Sequence, residues 1–161
     1  MSNVGNLTKL MAYPSIYLAT TTEELFRRID QLNPESKALW GKMTVGQMLS
    51  HCAVPYEQII GTNTDRPPLF MRILLKGYKS SMVNEVPYSR NLPTSPKFIR
   101  ADTYNFDQVK TQLKHLIKTI QEMGAEKLAA TPSLSLGSLS ATEWNNLLYK
   151  HIDHHLAQFG V

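Results

Sequence analysis

The sequence predicts an all-α protein, a four-helix bundle in which a long connection joins the second and third helices. Four segments repeat apolar residues at helical spacing and carry start or stop signals at their ends. No segment alternates apolar and polar residues as a half-buried strand would. The chain has 161 residues, of which 42% are hydrophobic, and this is enough for one sizeable core. We therefore expect residues 1–161 to form a single domain.

The first helix is predicted over residues 22–32. Its apolar side chains recur on one face: Leu25, Ile29 and Leu32. Thr21 and Glu24 fit a capping box at its start, and Pro34 follows its end.

The second helix is predicted over residues 45–60. Thr44 and Gln47 form a second capping-box pattern at its start, and Gly61 is a natural stop. Pro55 lies inside the segment and has no backbone N–H to donate. We expect it to kink or divide this helix.

The third helix is predicted over residues 106–123 and is closed by Gly124. Before it lies the long connection, residues 62–104. This connection should begin with a short apolar helix over residues 69–76. Its remainder, which includes "NEVPYSRNLPTSPKF", has too many prolines for regular structure.

The fourth helix is predicted over residues 141–159, with Ser140 and Glu143 as its capping box and Gly160 as its stop. Its apolar face comprises Leu148, Ile152, Leu156 and Phe159. At about 100° of rotation per residue, His155 lies just inside the edge of that face and His151 lies on its flank. His154 turns away from both and is predicted to be a bystander.

The second helix has an apolar stripe formed by Val45, Met48, Cys52, Tyr56 and Ile59, and His51 borders it. If the two helices pack together, His51 meets His151 and His155 at one end of the bundle. Side chains at i and i+4 stand about 5–6 Å apart at Cβ, so two rings can reach one ion. A third imidazole completes a set that leaves coordination positions open. Such a set suits zinc, nickel, iron or copper.

Each of these histidines also has an ordinary interpretation as a hydrogen-bonded residue at the edge of the core. The convergence of three of them from two helices favours a metal site. His115 is interpreted as a surface residue and Cys52 as core packing, not as a nucleophile. Candidates for ring-orienting or pocket residues border the same faces: Gln47, Gln58, Trp144 and Gln158.

Composition restricts the other possibilities. A single cysteine excludes a disulfide framework and a thiolate zinc cluster, and suits a reducing compartment. The absence of a signal peptide pattern and of an apolar span of roughly 20 residues predicts a cytoplasmic protein with no membrane partner. The formal charge is +4, but the basic residues are scattered, so nucleic acid is not an expected partner.

Two stretches, "LWGKMTVGQMLSHCA" and "LSATEWNNLLYKHIDHHLAQFG", resemble the DinB/YfiT-like superfamily of metal-dependent proteins, in a branch filed as a domain of unknown function. The resemblance implies a bundle with up-down-down-up connectivity and a metal site matching His51, His151 and His155. It also implies nickel or zinc as the usual ion, and homodimers are common. Characterised relatives use the metal to present a low-molecular-weight thiol.

These observations lead to two hypotheses of different class. The first is a metal-dependent enzyme acting on a small molecule, with a thiol S-transferase favoured over a hydrolase because no acidic residue is placed as a general base. The second is a non-catalytic binding module that keeps a vestigial metal site.

Overall fold

The computed structural model describes residues 12–92 and 105–161, which fold into five α-helices. They are α1 (Ala19–Asp30), α2 (Val45–Ile60), α3 (Leu69–Val83), α4 (Phe106–Ala129) and α5 (Ala141–Gln158). Among the described residues, extended pairing is limited to one isolated bridge between Ser133 and Gly137. The predicted all-α class is therefore confirmed.

The core lies where α2, α4 and α5 meet. Helix α2 packs most extensively on α4, both contact α5, α1 packs on α4, and α3 packs on α5. The aliphatic side chains that are almost completely buried come from four of these helices: Leu25, Ile29, Met48, Leu49, Leu113, Ile120, Leu128, Leu148, Ile152 and Leu156. Each such side chain contributes roughly 1.5–3 kcal/mol relative to an exposed one. The histidine-bearing helices α2 and α5 are thus held in a fixed register by their shared core.

Helix α2 confirms most of its sequence prediction. Thr44 and Gln47 form the reciprocal capping box, and Gly61 ends the helix in the left-handed region at φ 82°. Pro55 does not divide the helix, which runs unbroken through it. Burial on both sides of the proline, at Cys52 and Tyr56, stabilises the helical turns that a single missing hydrogen bond would weaken.

Helix α1 differs from its prediction at the start. It begins at Ala19 after the N-cap Leu18, which makes no side-chain cap, so the capping box assigned to Thr21 is wrong. Both Thr21 and Thr22 lie inside the helix and are buried. Because their side chains pack against the protein, tertiary burial extends the helix past the local capping signal.

Two further helices run longer than predicted. Helix α3 continues past residue 76 to Val83, which is buried against the core. In α4, Gly124 adopts φ 76° and ψ 170° and breaks the helix where its predicted end lies. Helical structure then resumes to Ala129, and the fully buried Leu128 holds this last turn in place.

Helix α5 confirms the predicted capping box of Ser140 and Glu143, and Gly160 follows its end at φ 77°. In the connection after α3, residues 84–92 form neither helix nor strand, as predicted, while residues 93–104 lie outside the described residues. No helix in the described part of the chain has the length and apolar character to cross a membrane.

Candidate metal site

Three histidine rings meet between α2 and α5. His51 comes from α2, and His151 and His155 come from successive turns of α5. The Nε2 atoms of His51 and His151 lie 2.9 Å apart, and one nitrogen of each ring lies within 4.8 Å of the others. The ring centroids are 4.8, 4.8 and 4.9 Å apart. The structure therefore brings together the three residues that the helical geometry selected.

The local sequence explains why these rings converge. Met48 and Cys52 bury the face of α2 beside His51, and Leu148 and Ile152 bury the face of α5 beside His151. Each histidine thus sits at the border of a stripe whose burial turns it toward the other helix. His51 and His155 are each 7% exposed, and His151 keeps somewhat more exposed surface.

Gln158 holds the ring of His155. Its Nε2 donates to the carbonyl of Trp40 at 2.8 Å, so its Oε1 faces His155 Nδ1, also at 2.8 Å. An amide oxygen only accepts, and Nδ1–H must therefore donate. The lone pair of His155 then lies on Nε2, the nitrogen that remains to bind an ion.

Burial keeps the imidazoles of His151 and His155 neutral. It lowers the pKa of His155 to about 4 and the pKa of His151 well below its usual value, and the neighbouring imidazoles reinforce both shifts. Neutral imidazole is the form that binds a metal. The Nδ1 atom of His151 is buried and finds no hydrogen-bond partner among the described residues.

The donor set fits a divalent first-row ion. In a tetrahedral site, ligand nitrogens about 2 Å from the ion lie about 3.3 Å from one another. The observed spacings, from 2.9 Å to no more than 4.8 Å, bracket that value. Within the described residues no carboxylate and no cysteine belongs to this group. Three imidazoles leave further positions open, as in metal sites that bind a substrate.

A family model described as "Protein of unknown function (DUF1569)" matches residues 17–160. The chain belongs to this family. No curated protein and no solved structure matches it. The matched range includes all five helices and the three histidines, so the candidate site lies inside the family's domain.

A small pocket lies beside the site of this DUF1569 domain, on the next face of α5. It encloses about 190 Å³, and its wall includes Trp40, Tyr88, Arg90 and His154. The guanidinium of Arg90 lies 4.4 Å from the centre of the Trp40 ring. His154 packs its ring edge-on against Trp40, Tyr88 and His155. His154 is therefore outside the candidate ligand group but forms the partition between the pocket and that group.

Lys150 of α5 also lines this pocket. It is 2% exposed, and its Nζ donates to the carbonyls of Ser81, Asn84 and Val86. Burial lowers the pKa of Lys150 to about 8. The ammonium thus ties the end of α3 and the segment after it to α5.

The other residues predicted near the site make different contacts. Gln47 is engaged in the α2 capping box, and Gln58 donates to the carbonyl of Asp65. Trp144 is buried and donates to the carbonyl of Thr131. His115 is exposed on α4, as predicted. Cys52 is fully buried and burial raises the pKa of its thiol, which agrees with core packing.

The segment that carries Trp40 is the part of the site that the sequence did not reveal. Gly41 has φ 82°, and a Cβ built on it would lie 2.5 Å from Gln158 Nε2. The Leu39 N–H also donates to the carbonyl of Gln158 at 2.8 Å. The hydrogen bond from Gln158 to the carbonyl of Trp40 joins residues that are 118 positions apart. The sequence signal for these contacts is limited to Gly41, which follows Trp40 in a segment without regular structure.

Replacing Gly41 with alanine is expected to loosen the site. The left-handed backbone costs about 1–2 kcal/mol once a Cβ is present, and the Cβ displaces the amide of Gln158. Because that amide orients His155, we expect metal affinity to fall about tenfold. Chemical denaturation and competition with a chelator measure the two effects.

Gly61→Ala is the matched control, because Gly61 has the same φ of 82° and nothing within 4 Å of a built Cβ. It should lose a similar amount of stability and keep its metal affinity. An equal loss of affinity in both variants would show that backbone strain, and not the Gln158 contact, is responsible.

Proposed function

We propose that this chain is a metal-dependent protein that acts on a small molecule, with His51, His151 and His155 as the ligands of a divalent ion. The observation that carries the proposal is the convergence of three imidazoles, two of them almost completely buried, from two helices. Burial keeps His151 and His155 in the neutral form that metals require. Gln158 presents His155 in the tautomer that leaves Nε2 available.

Nickel or zinc is the ion we favour, on the strength of the resemblance to DinB/YfiT-like proteins, and iron and copper also suit three imidazoles. We further propose that the fold is the up-down-down-up bundle of that superfamily, with α1, α2, α4 and α5 as its four helices and α3 in the crossover. A homodimer and a cytoplasmic location belong to the same proposal.

A thiol S-transferase is the reaction class that we favour over a hydrolase. A divalent ion at this site would lower the pKa of a coordinated thiol or water and so supply a nucleophile near neutral pH. Hydrolysis also calls for a base that accepts a proton from water, and no carboxylate joins the described histidine group. A low-molecular-weight thiol has a pKa of about 8.5 and gives its proton to solvent more readily than water does, so it depends less on a positioned base.

The pocket behind His154 supports a small-molecule substrate. Its volume of about 190 Å³ accommodates a compound of modest size. Trp40 and Tyr88 offer apolar faces, and Arg90 offers a cation that lies on the Trp40 ring. We propose that this pocket holds the part of the substrate that does not react, and that its reacting group reaches the metal-binding nitrogens past His154, whose ring contacts that of His155.

The proposal is tested by the metal content and turnover of the purified protein. Elemental analysis should find about one nickel or zinc ion per chain. A panel of thiols and electrophiles should then reveal turnover that a chelator abolishes and added metal restores. Stoichiometric metal with no turnover of the thiol panel or of ester and amide substrates would instead favour the non-catalytic binding module. Absence of metal after reconstitution would reject the site itself.

A further inference from the structure

Helix α3 leaves one entire face uncovered. Five large apolar side chains on it are among the most exposed in the described part of the chain: Leu69 at 69%, Phe70 at 69%, Ile73 at 64%, Leu74 at 55% and Tyr78 at 59%. Isolated exposed apolar residues are ordinary, but a contiguous group of this size marks a contact surface. We refer to these five residues as the α3 apolar face.

The helical spacing places these residues on one side. At about 100° per residue, they fall within an arc of about 180°. The opposite side of α3 carries Met71, Leu75, Met82 and Val83, of which Leu75, Met82 and Val83 pack against the core. The α3 apolar face is therefore a convex ridge on a helix that its inner side secures to the protein.

The charged side chains of α3 itself are all positive, and the nearest acidic residues in the sequence, Asp65 and Glu85, lie just outside residues 66–84. Arg66 precedes α3, and Arg72, Lys76 and Lys79 lie within it, whereas residues 66–84 include no Asp or Glu. Lys79 pairs with Glu143 of α5 at 3.2 Å, and Lys76 is exposed. Arg72 and Lys76 follow the apolar residues along one flank of the helix, about 20–60° beyond the edge of the arc.

We propose that α3 seats the protein on an anionic membrane surface, with the α3 apolar face at the level of the acyl chains and the basic flank against the lipid headgroups. A helix with an apolar face and basic neighbours binds at the interface of a bilayer and needs no span. Basic side chains near an anionic surface add attraction to this burial of apolar area. The proposal is independent of the metal site.

A bilayer matches this convex face better than antiparallel pairing with a second copy of the chain does. A convex helix needs a concave apolar partner. The pocket on α4 of a second copy offers no such groove, because polar residues line it: Asp107, Gln108, Thr111, Gln112 and His115. Pairing α3 with α3 of a second copy in antiparallel register would place the two basic flanks on the same side, where like charges repel.

This inference revises the expectation of no membrane partner, which rested on the lack of a continuous apolar span. Residues 69–83 form an amphipathic helix of 15 residues, which is too short to cross a bilayer but long enough to lie along its surface.

The experiment is co-sedimentation of the full chain with vesicles of phosphatidylcholine, alone or mixed with phosphatidylglycerol. We expect binding to the mixed vesicles that weakens as salt is raised. The double variant Phe70→Ser, Leu74→Ser should bind at least about tenfold more weakly, because it removes two inserted side chains. Lys76→Gln should weaken binding to the mixed vesicles about fivefold and leave binding to neutral ones unchanged.

The matched control is Leu92→Ser, since Leu92 is 52% exposed and lies outside α3; it should bind vesicles as the unaltered chain does. Helical circular dichroism and metal content should be unchanged in all variants. The proposal is overturned if the unaltered chain does not bind the mixed vesicles or if the double variant binds them equally well. It is also overturned if light scattering finds a dimer that the double variant dissociates, because the α3 apolar face would then be a subunit interface.

Discussion

The His155→Ala variant is expected to lose its bound metal. His155 supplies one of three nitrogens that lie within 4.8 Å of one another, and the remaining pair cannot enclose an ion on three sides. Changes to residues that merely orient ligands already reduce metal affinity about 10- to 100-fold. Loss of a ligand should therefore weaken affinity by more than about hundredfold, and His51→Ala should behave alike. Competition with a chromophoric chelator measures the affinity.

Two histidine variants serve as controls for this result. His115→Ala removes an exposed imidazole from α4 and should leave metal affinity unchanged. His154→Ala is the sharper control, because the ring of His154 lies 5.3 Å from that of His155, centre to centre, yet is outside the ligand group. If His154→Ala removes the metal as completely as His155→Ala does, our assignment of the three ligands is wrong.

The parts of the fold that the sequence predicted depend on local physics. The capping boxes of α2 and α5 satisfy backbone N–H groups within four residues, so their patterns are readable from a short stretch. The orientation of His51 and His155 followed from apolar periodicity, which a shared core enforces. Each signal arises within the helix that displays it.

The parts that were missed depend on contacts between distant segments. Thr21 matched a capping box, but the burial of Thr21 and Thr22 placed them inside a helix that begins at Ala19. The hydrogen bond from Gln158 to Trp40 joins residues far apart in sequence, one of them in an irregular segment. No periodicity or capping rule registers such a contact, although it orients His155.

The candidate metal site and the α3 apolar face of this DUF1569 chain are linked through α5. One side of α5 presents His151 and His155 to α2, and another side binds the end of α3 through Lys150. A chain bound to a membrane by the α3 apolar face would thus hold its metal-binding helix in direct contact with the membrane-bound element.

The metal-free protein is expected to lose stability as the pH falls from about 7 to about 5. In the unfolded chain, His155 has a pKa near 6.5 and gains a proton in this range, whereas burial holds its pKa at about 4 in the folded protein. The unfolded state therefore binds more protons, and the free energy of unfolding decreases as pH falls. The contribution of the neutral, buried His155 to the free energy of unfolding is complete above about pH 6.5 and is lost progressively down to about pH 4. A shift of this size corresponds to roughly 3 kcal/mol over the whole interval, of which about 2 kcal/mol is lost between pH 7 and pH 5.

His151, whose pKa is also lowered by burial, adds to this loss in the same direction. Urea denaturation of chelator-treated protein at several pH values gives the slope of the free energy of unfolding against pH. It should be shallower in His155→Ala and unchanged in His115→Ala. Asp30 and Glu143 do not imitate the effect, because their pKa values are lowered from already acidic values by Lys114 and by the Ser140 backbone N–H. Their contributions are therefore lost only at more acidic pH, below the range in which His155 is tested. Equal slopes in all three proteins would show that His155 is not buried as a neutral imidazole.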